Sequence, residues 1–197
     1  MRFTVTADTD IGIAKGTNQD SVLFKHGTYS GGEVLMAVIC DGMGGLTKGE
    51  LASATVIRAF LDWYNKELPY ELENLDLNVI GGKWSLMLKD LNVKIIEYAK
   101  KNNITMGTTF TGVLFVGDEY VTVHVGDTRL YHIGNKLEQL TCDQTFIARE
   151  IRKGTMTAEQ AKTDKRRNML LQCVGASEIL EPDVLIEKVE KGAYMLC

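Results

Sequence analysis

The pattern of apolar and polar positions predicts two strands near the start of the chain. Arg2–Asp8 and Glu33–Asp41 both have strand-like patterns, and the second contains an uninterrupted apolar run from Val34 to Cys40. A strand that has almost no polar positions is expected to be buried on both of its faces. We therefore expect Glu33–Asp41 to lie in the interior of a sheet.

Two later segments have the alternating three- and four-residue spacing of amphipathic helices, namely Gly49–Leu68 and Trp84–Lys101. The apolar positions are Ala54, Ile57, Leu61, Tyr64 and Leu68 in the first segment and Trp84, Leu88, Leu91, Ile95 and Tyr98 in the second. Pro69 predicts the end of the first helix, and Asn102 with Asn103 the end of the second. We interpret both stripes as core faces that cover one sheet.

A block of short strands separated by Gly, Asp and Asn residues follows the second helix. The predicted strands are Thr108–Val116, Tyr120–Val125, Arg129–Ile133 and Lys136–Thr141. Short strands with tight turns indicate hairpins and an antiparallel sheet. The alternation in Tyr120–Val125 predicts one buried face and one more polar face. Asp183–Lys188 and Ala193–Cys197 return to strand-like patterns near the end of the chain.

The segment between these strand regions is polar and has a helical pattern. Thr157 and Gln160 have the spacing of a helix capping box. We expect residues 143–175 to form a subdomain beside the main core. Because the sequence has no internal repeat, low-complexity tract or linker, residues 1–197 are predicted to form a single domain.

The composition, with 45% hydrophobic and 24% charged residues, is that of a globular protein. A net charge of −4 argues against a nucleic-acid partner. No apolar run approaches the roughly 20 residues of a membrane-spanning helix, and residues 1–10 lack the features of a secretory signal, so no membrane association is expected. The four cysteines have no C-x-x-C spacing, which favours reduced thiols in a cytoplasmic protein.

The residues with the clearest chemical potential are acids at strand ends. Asp41 follows the buried strand and begins an Asp-Gly-Met-Gly-Gly motif, whose glycines would let an ion or phosphate approach the backbone. Asp20 precedes the short predicted strand Ser21–Phe24, and Asp127 lies in a turn between two strands. Carboxylates and carbonyls are the ligands that Mg²⁺ and Mn²⁺ prefer. The Asp-Gly-Met-Gly-Gly motif could instead be an ordinary turn. Sequence spacing alone does not bring the three acids together.

Six stretches of the chain, in this order, resemble the metal-dependent protein serine/threonine phosphatases of the protein phosphatase 2C family in their bacterial form. They are DIGIAKGTNQDS (10–21), CDGMGGLTKGELAS (40–53), MGTT (106–109), VHVGDTRLY (123–131), LTCDQTF (140–146) and RRNMLLQCVG (166–175). The resemblance implies a layered α-β-β-α fold, in which two packed antiparallel sheets are flanked by helices. It also implies that residues 143–175 form a flap beside the active site.

The same resemblance implies roles for individual residues. Asp41 is similar to the carboxylate that bridges two Mn²⁺ or Mg²⁺ ions, and the Gly42 carbonyl to a ligand of one of them. Asp20 resembles the acid near the second ion, and Asp127 the ligand of a third ion in bacterial members. A water held by two cations would attack phosphorus directly, so Asp41 and Asp20 are the expected catalytic residues. The implied substrates are phosphoserine and phosphothreonine proteins, and the implied partner is a cognate serine/threonine kinase.

Several positions depart from the family pattern. Lys15 stands where the family commonly has an arginine that binds the substrate phosphate, and a lysine lacks the bidentate fork of arginine. Lys15 could instead be a solvated surface lysine. Gln19 replaces an acid beside Asp20, and Met43 replaces the histidine that eukaryotic relatives have. His124 and His132 are interpreted as packing residues of the strand block.

The family's later Ser-Asp-Gly and Asn-Asp motifs do not occur in these 197 residues. The sequence therefore predicts a phosphatase domain that lacks its C-terminal strands and holds part of the metal-ligand set. We expect the 197-residue chain alone to be inactive. Two alternatives remain open, namely a non-catalytic phosphoprotein-binding module and a sporulation-type phosphatase dedicated to one small partner protein.

Overall fold

The computed structural model describes residues 2–13, 16–43 and 48–197. In chain order, the elements are β1 (Asp20–Tyr29), β2 (Gly32–Asp41), α1 (Gly49–Lys66), α2 (Leu68–Glu71), α3 (Leu77–Asn102), β3 (Phe110–Val116), β4 (Glu119–Val125), β5 (Leu130–Ile133), β6 (Leu137–Gln139), α4 (Phe146–Arg152), α5 (Ala158–Thr163), β7 (Asp183–Lys188) and β8 (Ala193–Leu196). A short 3₁₀ turn, Leu72–Asn74, separates α2 from α3. All four cysteines are free thiols. None of the helices in the described part of the chain is both long and apolar enough to cross a membrane.

The strands form two antiparallel sheets. The larger has the order β1-β2-β3-β4-β7, and the smaller has the order β6-β5-β8. One face of the larger sheet packs against α1 and α3, and its other face packs against the smaller sheet. The prediction of two packed antiparallel sheets with flanking helices is therefore confirmed. Both long helices cover the larger sheet, as their apolar stripes predict.

Strand β2 is buried on both faces, as its apolar run predicts. Val34, Met36 and Val38 face the core beneath the helices. Leu35 and Ala37 point the other way and face the smaller sheet. Because β2 is paired with β1 on one side and β3 on the other, its backbone polar groups have partners in the ladder.

The buried stripe of helix α1 overlaps the predicted one only in part, since Ile57 and Tyr64 are half-buried against the core. The buried positions include Ala52, Val56, Phe60 and Trp63, whereas Ala54 is exposed. This helix has apolar residues around much of its circumference, so the tertiary packing selects the face. The larger side chains of Phe60 and Trp63 fill the space above the sheet, which places Ala54 on the solvent side.

Helix α3 begins well before Trp84, where the spacing predicts it to start. The side chain of Asp76 caps the helix by accepting hydrogen bonds from the backbone N–H groups of Asn78 and Val79. Trp84 is fully buried as expected, whereas Tyr98 at the far end of the stripe is exposed. The predicted end of the helix is confirmed, because Asn103 adopts the left-handed conformation with φ 51°.

Pro69 does not act simply as a stop signal. Helix α1 ends at Lys66, and Pro69 lies in the first turn of the short helix α2. A proline is tolerated there because its missing N–H would have no partner within the helix. The chain therefore turns between two helices at this point.

The N-terminal strand prediction is wrong. Arg2–Asp8 forms no strand, and no described strand pairs with it. The backbone N–H of Phe3 instead donates to the Glu33 carboxylate at 3.2 Å, and the Phe3 ring packs 5.8 Å from that of Phe115. An extended segment without a hydrogen-bonded neighbour is not part of a sheet.

Strand β4 also departs from its prediction. Its expected polar face is buried, with Thr122 and His124 only 1% and 2% exposed. The reason is that β4 lies between β3 and β7 and is covered by α3 on one face and by the second sheet on the other. The turn at Gly126 and Asp127 is likewise not a hairpin, because it carries the chain from the larger sheet to the smaller one.

Residues 143–175 form a segment whose two ends are joined. The Phe146 N–H donates to the Met169 carbonyl at 2.9 Å, and the Leu171 N–H donates to the Gln144 carbonyl at 2.8 Å. The Arg166 guanidinium lies 4.0 Å from the centre of the Phe146 ring. The capping box predicted for α5 is present. These contacts close the segment on itself near its point of attachment.

The aromatic cluster in the helix-side core provides a test of the packing. Phe60 is fully buried, with its ring 5.1 Å from that of Trp84 and 4.4 Å from that of Phe110. Phe60→Ala should lower the free energy of unfolding in urea by about 3–5 kcal/mol, because a cavity remains. Tyr70→Ala is the control, since Tyr70 is 69% exposed, and should change it by less than about 0.5 kcal/mol. Equal effects of the two substitutions would contradict this packing.

Candidate functional site

Two of the predicted acids lie side by side at one end of the larger sheet. Asp20 at the start of β1 pairs directly with Asp41 at the end of β2. Because the Gly42 N–H donates to the Gln19 carbonyl at 3.1 Å, the Asp20–Asp41 pair occupies the next position, where no ladder bonds form and facing side chains are closest. Like charges directly opposite each other destabilise a sheet, whereas a cation bound by both carboxylates would offset this repulsion.

The backbone of Asp41 is held by two threonines of the Met-Gly-Thr-Thr motif. The Asp41 N–H donates to the Thr109 hydroxyl at 2.9 Å, and the Thr109 N–H donates to the Asp41 carbonyl at 2.9 Å. The Thr108 hydroxyl donates to the same carbonyl at 3.0 Å. Sequence reasoning assigned no role to these threonines, although their motif was one of the six recognised stretches. They fix the point from which the Asp41 side chain extends.

Gly42 is needed because three segments meet around it. A side chain at this position would lie 2.4 Å from the Gln19 carbonyl oxygen and 2.7 Å from the carbonyl oxygen of Gly49 at the start of α1. The Gln19 carbonyl also accepts a hydrogen bond from the buried Ser53 hydroxyl at 2.7 Å. The end of β2, the approach to β1 and the start of α1 are therefore held together at the acidic strand ends.

Asp127 lies at the same end of the larger sheet, after β4, and β3 separates it from β2. Gly126 follows the last residue of β4, and continuing the register of β3 and β4 by one residue sets it opposite Thr109. A side chain on Gly126 would lie 2.7 Å from the Thr109 methyl group, and its φ of 109° also favours glycine. Asp127 is thus separated from the Asp20–Asp41 pair by one strand.

The three acids therefore lie at one end of the larger sheet, which sequence spacing alone did not establish, but they do not form one cluster. Within the residues that the structure describes, no group of three or more His, Cys, Asp or Glu side chains is arranged to hold a metal ion. Lys15 lies outside the described residues, as do Gly44 and Gly45 of the glycine-rich motif.

The surroundings of Asp127 are acidic. Partial desolvation by neighbouring groups and, next, the negative charge of Asp143 raise the pKa of the Asp127 carboxyl group above its ordinary value, with a smaller opposing effect from Arg129. Arg129 is engaged elsewhere, because its Nε and Nη2 atoms donate to the two Asp143 oxygens at 2.8 and 2.5 Å. Such surroundings suit a carboxylate whose charge would be balanced by a bound cation.

The two strand-block histidines have structural contacts. The Nδ1 atom of His124 lies 2.9 Å from the Thr111 hydroxyl, which in turn lies 2.7 Å from the Thr128 hydroxyl. Burial lowers the pKa of His124 below its usual 6.5. The ring of His132 packs 5.0 Å from that of Tyr194. Both arrangements agree with the interpretation as packing residues.

Comparisons with known proteins agree with these observations. The family profile described as Protein phosphatase 2C matches residues 13–174. The serine/threonine protein phosphatase PstP of Mycobacterium tuberculosis is 31% identical over 194 residues, which are 97% of this chain and 35% of PstP. The protein phosphatase PhpP of Streptococcus pneumoniae is 27% identical over 191 residues, which are 95% of this chain and 74% of PhpP. The chain thus spans about a third of the first relative and three quarters of the second.

Solved structures of bacterial phosphatases have a similar fold. The Stp1 phosphatase of Staphylococcus aureus aligns with a TM-score of 0.77 at 29% identity, over 92% of this chain and 70% of its own. The serine/threonine phosphatase of S. agalactiae aligns with a TM-score of 0.80 at 28% identity, over 95% and 74%. The catalytic domain of PstP in complex with two manganese ions aligns with a TM-score of 0.71 at 29% identity, over 94% and 72%.

The close approach at Gly42 generates a prediction about stability. Gly42→Ala should lower the free energy of unfolding by about 1–3 kcal/mol, because the new methyl group would overlap backbone atoms. Gly82→Ala is the matched control, since Gly82 lies within α3 and a side chain there would meet no atom within 4 Å. That substitution should raise the free energy by roughly 0.5–1 kcal/mol through helix propensity. Urea denaturation measures both, and a neutral Gly42→Ala would refute the close approach.

The buried imidazole generates a second prediction. Because the pKa of His124 is lower in the folded state, the unfolded chain binds a proton first as the pH falls. The His124 contribution to stability is therefore present above about pH 6.5 and is lost as the pH falls below it. Unfolding in urea should become easier between about pH 7 and pH 5, and His124→Gln should make this dependence shallower. An identical pH dependence in both proteins would contradict the burial of His124 as a neutral group.

Proposed function

This chain belongs to the protein phosphatase 2C family, and from that premise we propose that it hydrolyses phosphoserine and phosphothreonine esters in proteins with the help of divalent metal ions. The observation that carries the proposal is the direct opposition of Asp20 and Asp41 in the strand register at the end of the sheet. The names of the bacterial relatives, which are serine/threonine phosphatases, support the same substrate class. The chain's match to three quarters of PhpP supports carrying the activity over.

The metal-binding part of the proposal concerns oxygen ligands. We propose that Asp41, Asp20 and the Gly42 carbonyl hold two Mn²⁺ or Mg²⁺ ions, and that Asp127 contributes to a third. The strand register fits this role, because it sets Asp20 and Asp41 directly opposite each other. The related PstP domain has been solved with two manganese ions. When bound, such ions would supply a water that loses its proton near neutral pH and attacks phosphorus.

The chain's own residues would orient this chemistry. The hydrogen bonds between the Asp41 backbone and the hydroxyl groups of Thr108 and Thr109 fix that backbone, so the Asp41 side chain starts from a defined position at the sheet end. Such rigid support is what a site that must hold reacting groups in place requires. We propose that Lys15 binds the substrate phosphate as a point charge, which would give a looser grip than the bidentate contact of an arginine.

The segment 143–175 is proposed to act as a flap that governs which phosphoproteins are accepted. Its base lies against the turn that carries Asp127, since the Gln144 N–H donates to the Gly126 carbonyl at 2.7 Å. The whole chain is proposed to be one phosphatase domain that includes this flap. A cognate serine/threonine kinase and a cytoplasmic location remain predictions from the family resemblance.

A second candidate function is a module that binds phosphoproteins without hydrolysing them. It is favoured by the position of Asp127 apart from the other two acids and by Gln19 in place of an acid beside Asp20. Such a module would still use a basic side chain to recognise phosphate. The two candidates differ in one measurable property, which is turnover.

The test uses this chain extended through the family's later Ser-Asp-Gly and Asn-Asp motifs, because the 197 residues alone are expected to be inactive. Hydrolysis of p-nitrophenyl phosphate and of a phosphothreonine peptide by this extended protein in the presence of Mn²⁺ tests the proposal. Asp41→Asn should lower kcat/KM at least about a hundredfold on both substrates, because a bridging carboxylate would be lost. Asp118→Asn is the matched control, since Asp118 lies in the exposed β3–β4 turn at the opposite end of the same sheet, and it should retain full activity. Near wild-type rates for Asp41→Asn would refute the metal assignment. Phosphopeptide binding without any hydrolysis by the extended wild-type protein would favour the binding module.

A further inference from the structure

One glutamine holds both backbone polar groups of the residue before Asp127. The Gln144 N–H donates to the Gly126 carbonyl at 2.7 Å, and the Gly126 N–H donates to the Gln144 Oε1 atom at 3.0 Å. Gln144 is only 8% exposed, so water does not readily replace these partners. We refer to this pair of hydrogen bonds as the Gln144 clamp.

The clamp acts at a position that has little freedom. Gly126 has a φ of 109° and lies so close to Thr109 that a side chain could not be added without displacing it. Thr109 in turn holds the Asp41 backbone through two hydrogen bonds. The clamp therefore holds the residue next to Asp127. That residue also contacts Thr109, which is hydrogen-bonded to the Asp41 backbone.

The other polar groups of Gln144 connect two further parts of the chain. Its Nε2 atom donates to the Asp183 carboxylate at the start of β7 at 2.9 Å. Its carbonyl accepts from the Leu171 N–H, where the segment 143–175 returns to the sheets. All four polar groups of Gln144 are thus used, and they join the base of this segment to the Asp127 turn and to the sheet. Removing the side chain would leave the Gly126 N–H without its partner in a buried place.

A nearby glutamine has a comparable number of bonds but a different location. The Oε1 atom of Gln172 accepts from the Glu181 N–H at 2.6 Å, and its Nε2 atom donates to the Glu181 carbonyl at 3.2 Å. Gln172 therefore ties the return of the segment to the chain before β7, and these bonds do not involve the Asp127 turn. A Gln172→Ala variant therefore separates the effect of losing two side-chain hydrogen bonds from the effect of losing the Gln144 clamp.

We infer that Gln144 is a positioning residue that couples the segment 143–175 to the Asp127 turn. When the base of the segment is seated, the clamp fixes Gly126 and hence the origin of the Asp127 side chain. When the base is displaced, Gly126 loses the partners of both of its backbone polar groups. The coupling itself does not depend on the reaction, whereas its consequence for metal binding rests on the proposed function.

Hydrogen–deuterium exchange of the amides in residues 126–128 tests the coupling directly. Gln144→Ala should increase their exchange rate about tenfold, because the Gly126 N–H loses its acceptor. Gln172→Ala should leave these amides unchanged. The double variant Gln144→Glu with Asp183→Asn should restore protection, since it keeps the acceptor for Gly126, reverses donor and acceptor between the two side chains and conserves the net charge. Equal exchange in the two alanine variants, or no recovery in the double variant, would overturn the inference.

Manganese dependence tests the consequence for Asp127. In the same extended protein, Gln144→Ala should raise the Mn²⁺ concentration for half-maximal hydrolysis of p-nitrophenyl phosphate several-fold, while kcat at saturating Mn²⁺ changes less than about twofold. Titration calorimetry should record the same weakening without relying on turnover, and Gln172→Ala should match the wild type in both. Faster exchange with unchanged Mn²⁺ binding would overturn the link to Asp127. An extended wild-type protein without hydrolysis would count against the proposed function alone, and the exchange measurement would still decide the coupling.

Discussion

Asp20 and Asp41 face each other across β1 and β2, and the surrounding structure holds these two acids directly opposite each other. Three features maintain this arrangement: the ladder of ten residue pairs between the strands, the missing side chain at Gly42, and the threonine bonds to the Asp41 backbone. Two acids held directly opposite each other form an arrangement that a bound cation would stabilise, and the proposed metal site rests on this feature.

The stability that supports this arrangement comes from the two apolar layers on either side of the larger sheet. One layer lies between the sheet and helices α1 and α3, with Phe60 and Trp84 at its centre, and the other lies between the two sheets. Because β2 contributes to both layers, the strand that ends in Asp41 is among the most firmly packed parts of the chain. Its end therefore provides a rigid base for the acidic site.

The region around Asp127 is organised differently, because polar contacts support it. Arg129 pairs with Asp143, and Gln144 holds Gly126, so the beginning of the segment 143–175 and the Asp127 turn share their hydrogen bonds. Contacts of this kind depend on geometry and are lost together when one partner moves. The Asp20–Asp41 pair has rigid support, whereas the position of Asp127 depends on contacts with the segment 143–175. Substrate contacts at this segment would therefore influence the site through Asp127.

The sequence by itself determined the features that depend on local pattern: the doubly buried strand ending in Asp41, the two long helices, the end of α3 at Asn103 and the acids at strand ends. Only the tertiary structure decided which face of α1 is buried, that β4 and β5 belong to different sheets, and that Arg2–Asp8 forms no strand. It also revealed the contacts of Thr109 and Gln144 with residues 68 and 18 positions away. Periodicity reports the neighbours of a residue along the chain, whereas these contacts arise from strand pairings and packing between distant segments, which no local pattern encodes.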